Sequence, residues 1–386
     1  MTIDLGALAL EMTAWRRDLH ANPEFGFEER RTAAFVAAKL REFGLDEVAE
    51  GVGGVGVVGS LRRGSGNRAV GLRADMDALR LQEKGGHSHR SQAEGVMHAC
   101  GHDGHTAMLL GAAKLLGEEG GFDGTVRFIF QPAEEWGRGA LAMLEDGLLA
   151  RWPVDEIYGL HNWPGLAVGR FATTPGPLMA AEDNFEIVLR GQGGHASRPH
   201  AMQEVMVAAC SVVVALQTIV SRRLDPADAA VVSVTQLLSD GARNVLPGEA
   251  RILGDARSFR PEVSAEIERQ MRRIAEGVAA GHGCRAETTY TREFVPLVNP
   301  PEPTRAALEA AAAVFGSDSV SGAQPPITAS EDFARFLEHI PGCFAFIGNG
   351  EASLPLHNAE YDFDDASLIY GARYFAEIAR RRLVAG

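Results

Sequence analysis

At 386 residues with 46% apolar side chains, the chain exceeds the length of most single hydrophobic cores and can fill more than one. Its 51 acidic against 37 basic residues leave a net charge of −14. That charge repels phosphate backbones and anionic lipid, so neither nucleic acid nor a membrane is an expected partner.

The opening residues lack a basic leader followed by a small-residue cleavage site, and the longest apolar stretches, such as Val205 to Val220, read as buried helix rather than a membrane span; a cytoplasmic protein is expected. From Leu8 to Phe43 the chain is helical in character, broken near Asn22-Pro23, with Gly44 as the stop. Val55 to Leu61 and Ala69 to Asp75 read as core strands. The run His98-Ala99-Cys100-Gly101-His102-Asp103-Gly104-His105 is expected to be a loop because of its two glycines, with a helix from Thr106 to Leu116 and a strand from Gly124 to Phe130. Strand and helix alternate, which suggests α/β layers. The rhythm then changes. Strand-like Asn184 to Leu189, helical Val205 to Arg222, strand-like Ala229 to Leu238 and Arg251 to Ser258, helical Pro261 to Ala280 and strand-like Arg285 to Tyr290 form a βαββαβ unit. Pro303 to Arg382 is expected to return to the first domain. The four cysteines, at 100, 210, 284 and 343, are too dispersed for a disulfide framework and are expected to be reduced.

Thiolate and imidazole are preferred donors for zinc and related ions, which singles out Cys100 and His102, flanked by His98 and His105. A lone Cys-x-His is more often an ordinary surface loop, so other segments must support it. Gln131-Pro132-Ala133-Glu134-Glu135 follows a strand, where ligands collect in α/β sheets. One of these glutamates can bind metal while its neighbour moves a proton, provided the pair lies beyond the regular strand. His161 and His357 sit at what read as strand-to-loop junctions. Cys100, His102, Glu135, His161 and His357 then make five donors, more than one open catalytic ion needs, and two ions sharing a bridging ligand fit better.

The order of motifs along nearly the whole chain resembles the M20 metallopeptidases, in the amidohydrolase branch that includes hippurate hydrolase and auxin-conjugate hydrolases. The resemblance is carried by Arg16-Arg17-Asp18-Leu19-His20 with Pro23-Glu24, Arg73 to Leu79, Met97 to Thr106, Gln131 to Glu135, Gly159 to Pro164, Gly193-Gly194-His195-Ala196 with Pro199-His200, Ser330-Glu331-Asp332-Phe333, and Leu356 to Glu360. It implies that Cys100, His102, Glu135, His161 and His357 bind two divalent ions, zinc, manganese, cobalt or nickel, with Cys100 as the bridge and Glu134 as general base. It implies further that Asp77 orients a ligand imidazole, that His195 stabilises the oxyanion from its own or a partner subunit, and that Asn244 and Arg257 hold the substrate carboxylate. For Asp75 and Asp77 strand-end capping is an equal alternative, and for Arg257 the alternative, with less weight, is a structural ion pair with a nearby Asp. Arg80 and Ala242-Arg243 depart from the family pattern without removing a ligand.

The fold expected with this resemblance is α/β: a discontinuous mixed-sheet catalytic domain with helices on both faces, residues 1–179 and 293–386, and an inserted α+β (βαββαβ) lid, residues 180–292, through which a homodimer or higher homo-oligomer would form. The expected reaction is hydrolysis of a small N-acyl or N-aroyl amino acid. Two rivals remain: a metal-free amidase with Cys100 as nucleophile and His102 or His98 as base, and a non-catalytic ligand-binding protein on the same scaffold.

Overall fold

The computed structural model describes residues 3–384. The chain forms two compact units: one takes the residues up to Leu178, Val298–Pro325 and those from Glu331 onward, and the other takes Met179–Leu297 with Pro326–Ser330. The sequence reading assigns Pro326–Ser330 to the first domain, but in the structure this short segment packs with the second unit, where Ala180 N donates to Ile327 O at 3.1 Å.

The first unit opens with α1 (Leu5–Ala21), whose start is capped by the Asp4 carboxylate accepting from the N–H groups of Gly6 and Ala7. There follow α2 (Arg30–Glu42), β1 (Glu47–Val52), β2 (Gly56–Arg63), β3 (Ala69–Asp75), α3 (His102–Glu119), β4 (Gly124–Gln131), α4 (Gly139–Glu145), α5 (Leu148–Arg151), β5 (Glu156–Trp163) and β6 (Phe171–Ala172). The chain leaves through β7 (Gly176–Met179).

The second unit contains β8 (Ala181–Arg190), β9 (Gly194–His195), α6 (Val205–Leu216), α7 (Thr218–Arg222), β10 (Ala230–Ser239), β11 (Val245–Leu246), β12 (Glu249–Ser258), α8 (Pro261–Gly281) and β13 (Arg285–Phe294). Its four-stranded antiparallel sheet has the order β10-β12-β8-β13. One face carries Ile187, Leu189, Ala250, Ile252 and Ala256 against α6 and α8, in a core of its own. Alternation along β8 and β12 follows from having one face buried and the other open. The helix expected over Val205 to Arg222 is two helices, with the break at Gln217.

The chain returns through β14 (Leu297–Asn299) to α9 (Pro301–Phe315), β15 (Val320–Ser321), α10 (Ala334–Leu337), β16 (Gly342–Gly348) and α11 (Leu368–Arg382). The sheet of the first unit is mixed and eight-stranded, ordered β1-β2-β4-β3-β5-β16-β6-β15, with parallel pairing from β4 through β16. Those middle strands are buried on both sides. In β16, Cys343, Ala345 and Ile347 join the main core under α3, α9 and α11, while Phe344 and Phe346 pack on Phe333 and Trp163 with ring centroids 5.1 and 4.8 Å apart. Helix α3 runs through the middle of this core with almost every residue to Leu116 buried, which explains its lack of a polar stripe. Among the described residues no helix is long and apolar enough to cross a membrane.

Candidate metal centre

Strand β3 lies between β4 and β5 in the sheet, and the chain passes from β3 to β4 on one side and then across to β5 on the other. Such a reversal opens a crevice at the carboxyl ends of the strands. Asp75 ends β3, Glu134 and Glu135 follow β4, and His161 lies near the end of β5.

The expected loop over His98 to His105 is only half a loop. Gly101, at φ 95°, turns the chain, and α3 begins at His102, so His102 and His105 lie one helical turn apart with ring centroids at 5.4 Å. A side chain at Gly101 would bring its Cβ within 2.3 Å of Asn162 Oδ1, so both conformation and space require glycine. His161, expected at a strand-to-loop junction, is instead within β5. Glu134 and Glu135 do lie past the strand, in a short 3-10 turn entered through Ala133 at φ 50°.

Free electron pairs distinguish the candidate ligands from their neighbours. His102 Nδ1 is 3.1 Å from Asp77 Oδ1, and its buried Nε2 has no hydrogen-bond partner. His161 Nδ1 donates to the carbonyl of Asn162 at 2.7 Å, which leaves Nε2 with its lone pair, 3.4 Å from Cys100 Sγ. Glu135 Oε1 is buried without a hydrogen bond, 3.3 Å from His357 Nε2 and 4.0 Å from His102 Nε2. His105 is different: Nδ1 is 2.6 Å from Asp75 Oδ1 and Nε2 meets Asn162, so neither nitrogen is free. His357 sits in a turn at φ 64°, with its N–H on Ala99 O at 2.8 Å.

The donor atoms of Cys100, His102 and His161 lie within 4.8 Å of one another, and so do those of Cys100, Glu135 and His357. Cys100 belongs to both sets. The unpartnered His102 Nε2 and Glu135 Oε1, with a thiol common to two donor triads, fit a pair of divalent ions with a bridging ligand. Asp77 supports both sets, because its second oxygen accepts from Glu135 N at 3.1 Å.

Electrostatics point the same way. Burial pushes the Cys100 thiol well above its ordinary range, and Glu135, Glu134 and Asp75 push it further. Burial alone would lower His102, yet Asp75, Asp77 and Glu135 carry it up to about 10. Burial, then the neighbouring His105, holds His161 well below the usual imidazole range. Glu134 is buried beside Glu331, Glu135, Asp332 and Asp77, and burial followed by these charges raises its carboxyl strongly. A concentration of carboxylates this dense calls for cations.

Arg73 supplies one of them. Its guanidinium meets Asp75 at 2.7 Å, Glu331 at 2.9 Å and Asp332 at 3.0 Å, all buried. Its role is not read from the sequence, although an arginine inside an apolar strand is a signal that buried carboxylates face it.

The second unit holds the other expected residues. His195 is exposed and pairs with Val245 across the β9/β11 ribbon, and Asn244 O accepts from Ala196 N at 3.1 Å, which sets the two side by side. Ser197 N donates to His195 Nδ1 at 3.1 Å, so the neutral ring carries its proton on Nε2. Arg257 is held by Glu182 and Asp255, each at 2.9 Å, and donates to Ser330 Oγ at 2.7 Å. Its charge already has two partners within the unit.

Residues 71–381 match Peptidase family M20/M25/M40. The chain is 40% identical over 368 residues to a hippurate hydrolase of Campylobacter jejuni, covering 95% of each chain. It is 39% identical over 366 residues to an N-acetylcysteine deacetylase of Bacillus subtilis, covering 94% of each. Its structure resembles that of the Bacillus subtilis YXEP protein, a dinuclear metal binding peptidase from M20 family, with a TM-score of 0.87, 35% identity and coverage of 98% of this chain and 99% of that one.

Proposed function

Because the chain belongs to peptidase family M20/M25/M40, we propose that it is a binuclear metal-dependent hydrolase of N-acyl or N-aroyl amino acids, releasing a carboxylic acid and a free amino acid. The observation that carries this reading is the sharing of Cys100 between two donor triads, with Glu134 buried alongside. Cys100, His102, Glu135, His161 and His357 would hold the ions. When bound, two divalent ions supply Lewis-acid polarisation of the amide carbonyl and acidify water.

The chain's own groups do the rest. Glu134 takes a proton from the attacking water and passes it to the departing amine nitrogen. Its buried surroundings, rich in negative charge, keep it basic enough for both transfers. His195, with its Nε2 proton, donates to the oxygen that gains charge. Asn244 and Arg257 hold the substrate carboxylate, the guanidinium through the Nη2 that Glu182, Asp255 and Ser330 leave unengaged. Asp77 keeps the His102 ring and the Glu135 backbone in register.

The metal-free thiol reading finds less support. A nucleophilic cysteine needs an electropositive setting that stabilises thiolate, whereas Cys100 is enclosed and surrounded by carboxylates. Amine release from a panel including benzoylglycine and acetyl amino acids, run on metal-reconstituted protein, is the test. Turnover should vanish on chelation and return with a divalent ion. Full activity in metal-free protein, or inertness of metal-loaded protein across the panel, would overturn the proposal.

We also propose self-association through the second unit. On α6, Val207 and Val214 lie seven residues apart on one face and are 50% and 72% exposed. Light scattering should give a dimer mass or above, and a monomer would refute it.

A further inference from the structure

A second group of ligand-type side chains lies in the first unit, away from the donors described above. His20, at the end of α1, is fully buried, and its Nδ1 is 2.8 Å from Asp103 Oδ2. Its Nε2 points to Glu83 Oε1 at 3.5 Å without the alignment of a hydrogen bond, and both atoms are buried and unpartnered. His87 Nε2, also buried and unpartnered, lies 3.9 Å from the same Glu83 oxygen. Two imidazole nitrogens therefore face one oxygen of Glu83, and none of the three atoms makes a hydrogen bond.

The surroundings are those of ligands held ready. Asp103 faces Nδ1 of His20, Asp362 faces Nδ1 of His87 at 3.5 Å, and Ser91 N donates to the other oxygen of Glu83 at 2.6 Å. A carboxylate that accepts from the far nitrogen of an imidazole leaves its Nε2 lone pair for a metal. Space is kept as well. A Cβ on Gly85 would come within 2.5 Å of His87 Nε2 and 3.2 Å of Glu83 Oε1, so a larger residue would fill the gap between the two donors.

We propose that His20 Nε2, Glu83 Oε1 and His87 Nε2 form a separate site for one divalent transition ion of the zinc class. Metal bonds of ordinary length in a tetrahedron put ligand atoms about 3.3 Å apart, and the observed 3.5 and 3.9 Å need little adjustment. Two imidazoles and a carboxylate are a zinc-type set with a fourth position for water. Solvent reaches the site on the His87 side, where that side chain is 26% exposed while Glu83 is 2% exposed. Arg16 lies 3.3 Å from His20 Nδ1, and its charge is engaged by Asp103, Asp362, Asp365 and His89 Nε2. A proton shared by His20 and Glu83 is the competing occupant, and an ion must displace it to bind.

The ion has a structural task. Residues 76–101 run from β3 to α3 with no helix or strand among them and lead directly into Cys100. The backbone fastens this segment at Leu79 with Met97 and at Gln92 with Ala21. The ion would tie the segment, through Glu83 and His87, to His20 on α1.

Anomalous scattering at the zinc edge, from crystals of full-length protein loaded with excess zinc and then dialysed, tests this directly. A peak is expected between His20, Glu83 and His87, together with an equivalent of zinc per chain beyond the pair expected at the Cys100 centre. His87→Ala and Gly85→Ala should each remove this peak and this equivalent and lower Tm, while kcat/KM at saturating zinc is unchanged. Absence of the peak in loaded wild-type crystals, or its persistence in both variants, would overturn the proposal. A peak here with none at Cys100, His102 and His161 would sink the proposed function and uphold this site.

Discussion

His102, His105 and His161 show how the bonds of one ring nitrogen decide what the other can do. His105 is spent on Asp75 and Asn162, whereas His102 has one nitrogen oriented and the other free, and His161 turns its second nitrogen to Cys100 Sγ. Asp77→Asn should therefore act through orientation, weakening metal affinity by about 10–100-fold. Competition with a chromophoric chelator would measure this, and most of kcat should return at saturating metal. Glu134→Gln should leave metal content intact and cut kcat by about 10²–10⁴-fold, read by elemental analysis beside amine release. The chain could nominate these residues, because thiol, imidazole and paired carboxylates in the order of the M20 motifs are candidate ligands. Their bonding states could not, since Asp77 lies 25 positions from His102.

At the scale of elements, two turns set the geometry. Gly101 starts α3, and Ala133, in the left-handed region, starts the 3-10 turn that carries Glu134. Gly101→Ala combines a left-handed φ with a Cβ 2.3 Å from Asn162 Oδ1, and should cost about 1–3 kcal/mol, seen as a fall in Tm and in activity. The Ala133 turn is secured by Glu29, whose Oε1 accepts from Ala133 N at 2.8 Å while Oε2 is buried without a partner. Burial, then Asp77, pushes the Glu29 carboxyl up to about 8. Because the folded form holds this proton more tightly than the unfolded chain does, its contribution to stability is full below the unfolded carboxyl range and is lost as pH rises through about 8. Glu29→Gln should flatten that decline, and urea unfolding at pH 5 and pH 8 would show it. Most strands and helices were legible from periodicity and glycine placement. The start of α3 was not, because Gly101 and Gly104 carry the same local signal whether they break a chain or admit Asn162 and Phe363 close to a helix.

For the molecule as a whole, two units with separate apolar cores should respond separately to damage. Ile252→Ala, in the middle of β12, should destabilise the second unit by about 2–5 kcal/mol. Limited proteolysis should then cut within residues 179–297 while zinc bound by the first unit is retained. By itself the sequence determined the α/β class and the residue types that could bind metal, because these depend on composition, period and motif order along one chain. Only the tertiary structure decided which donors keep free electron pairs and that Arg73 sits against Asp75, Glu331 and Asp332. It also decided that His20, Glu83 and His87 leave three polar atoms without partners. Those outcomes depend on groups brought together from distant segments, where a hydrogen bond made or missed by an ångström determines whether a nitrogen is occupied or available.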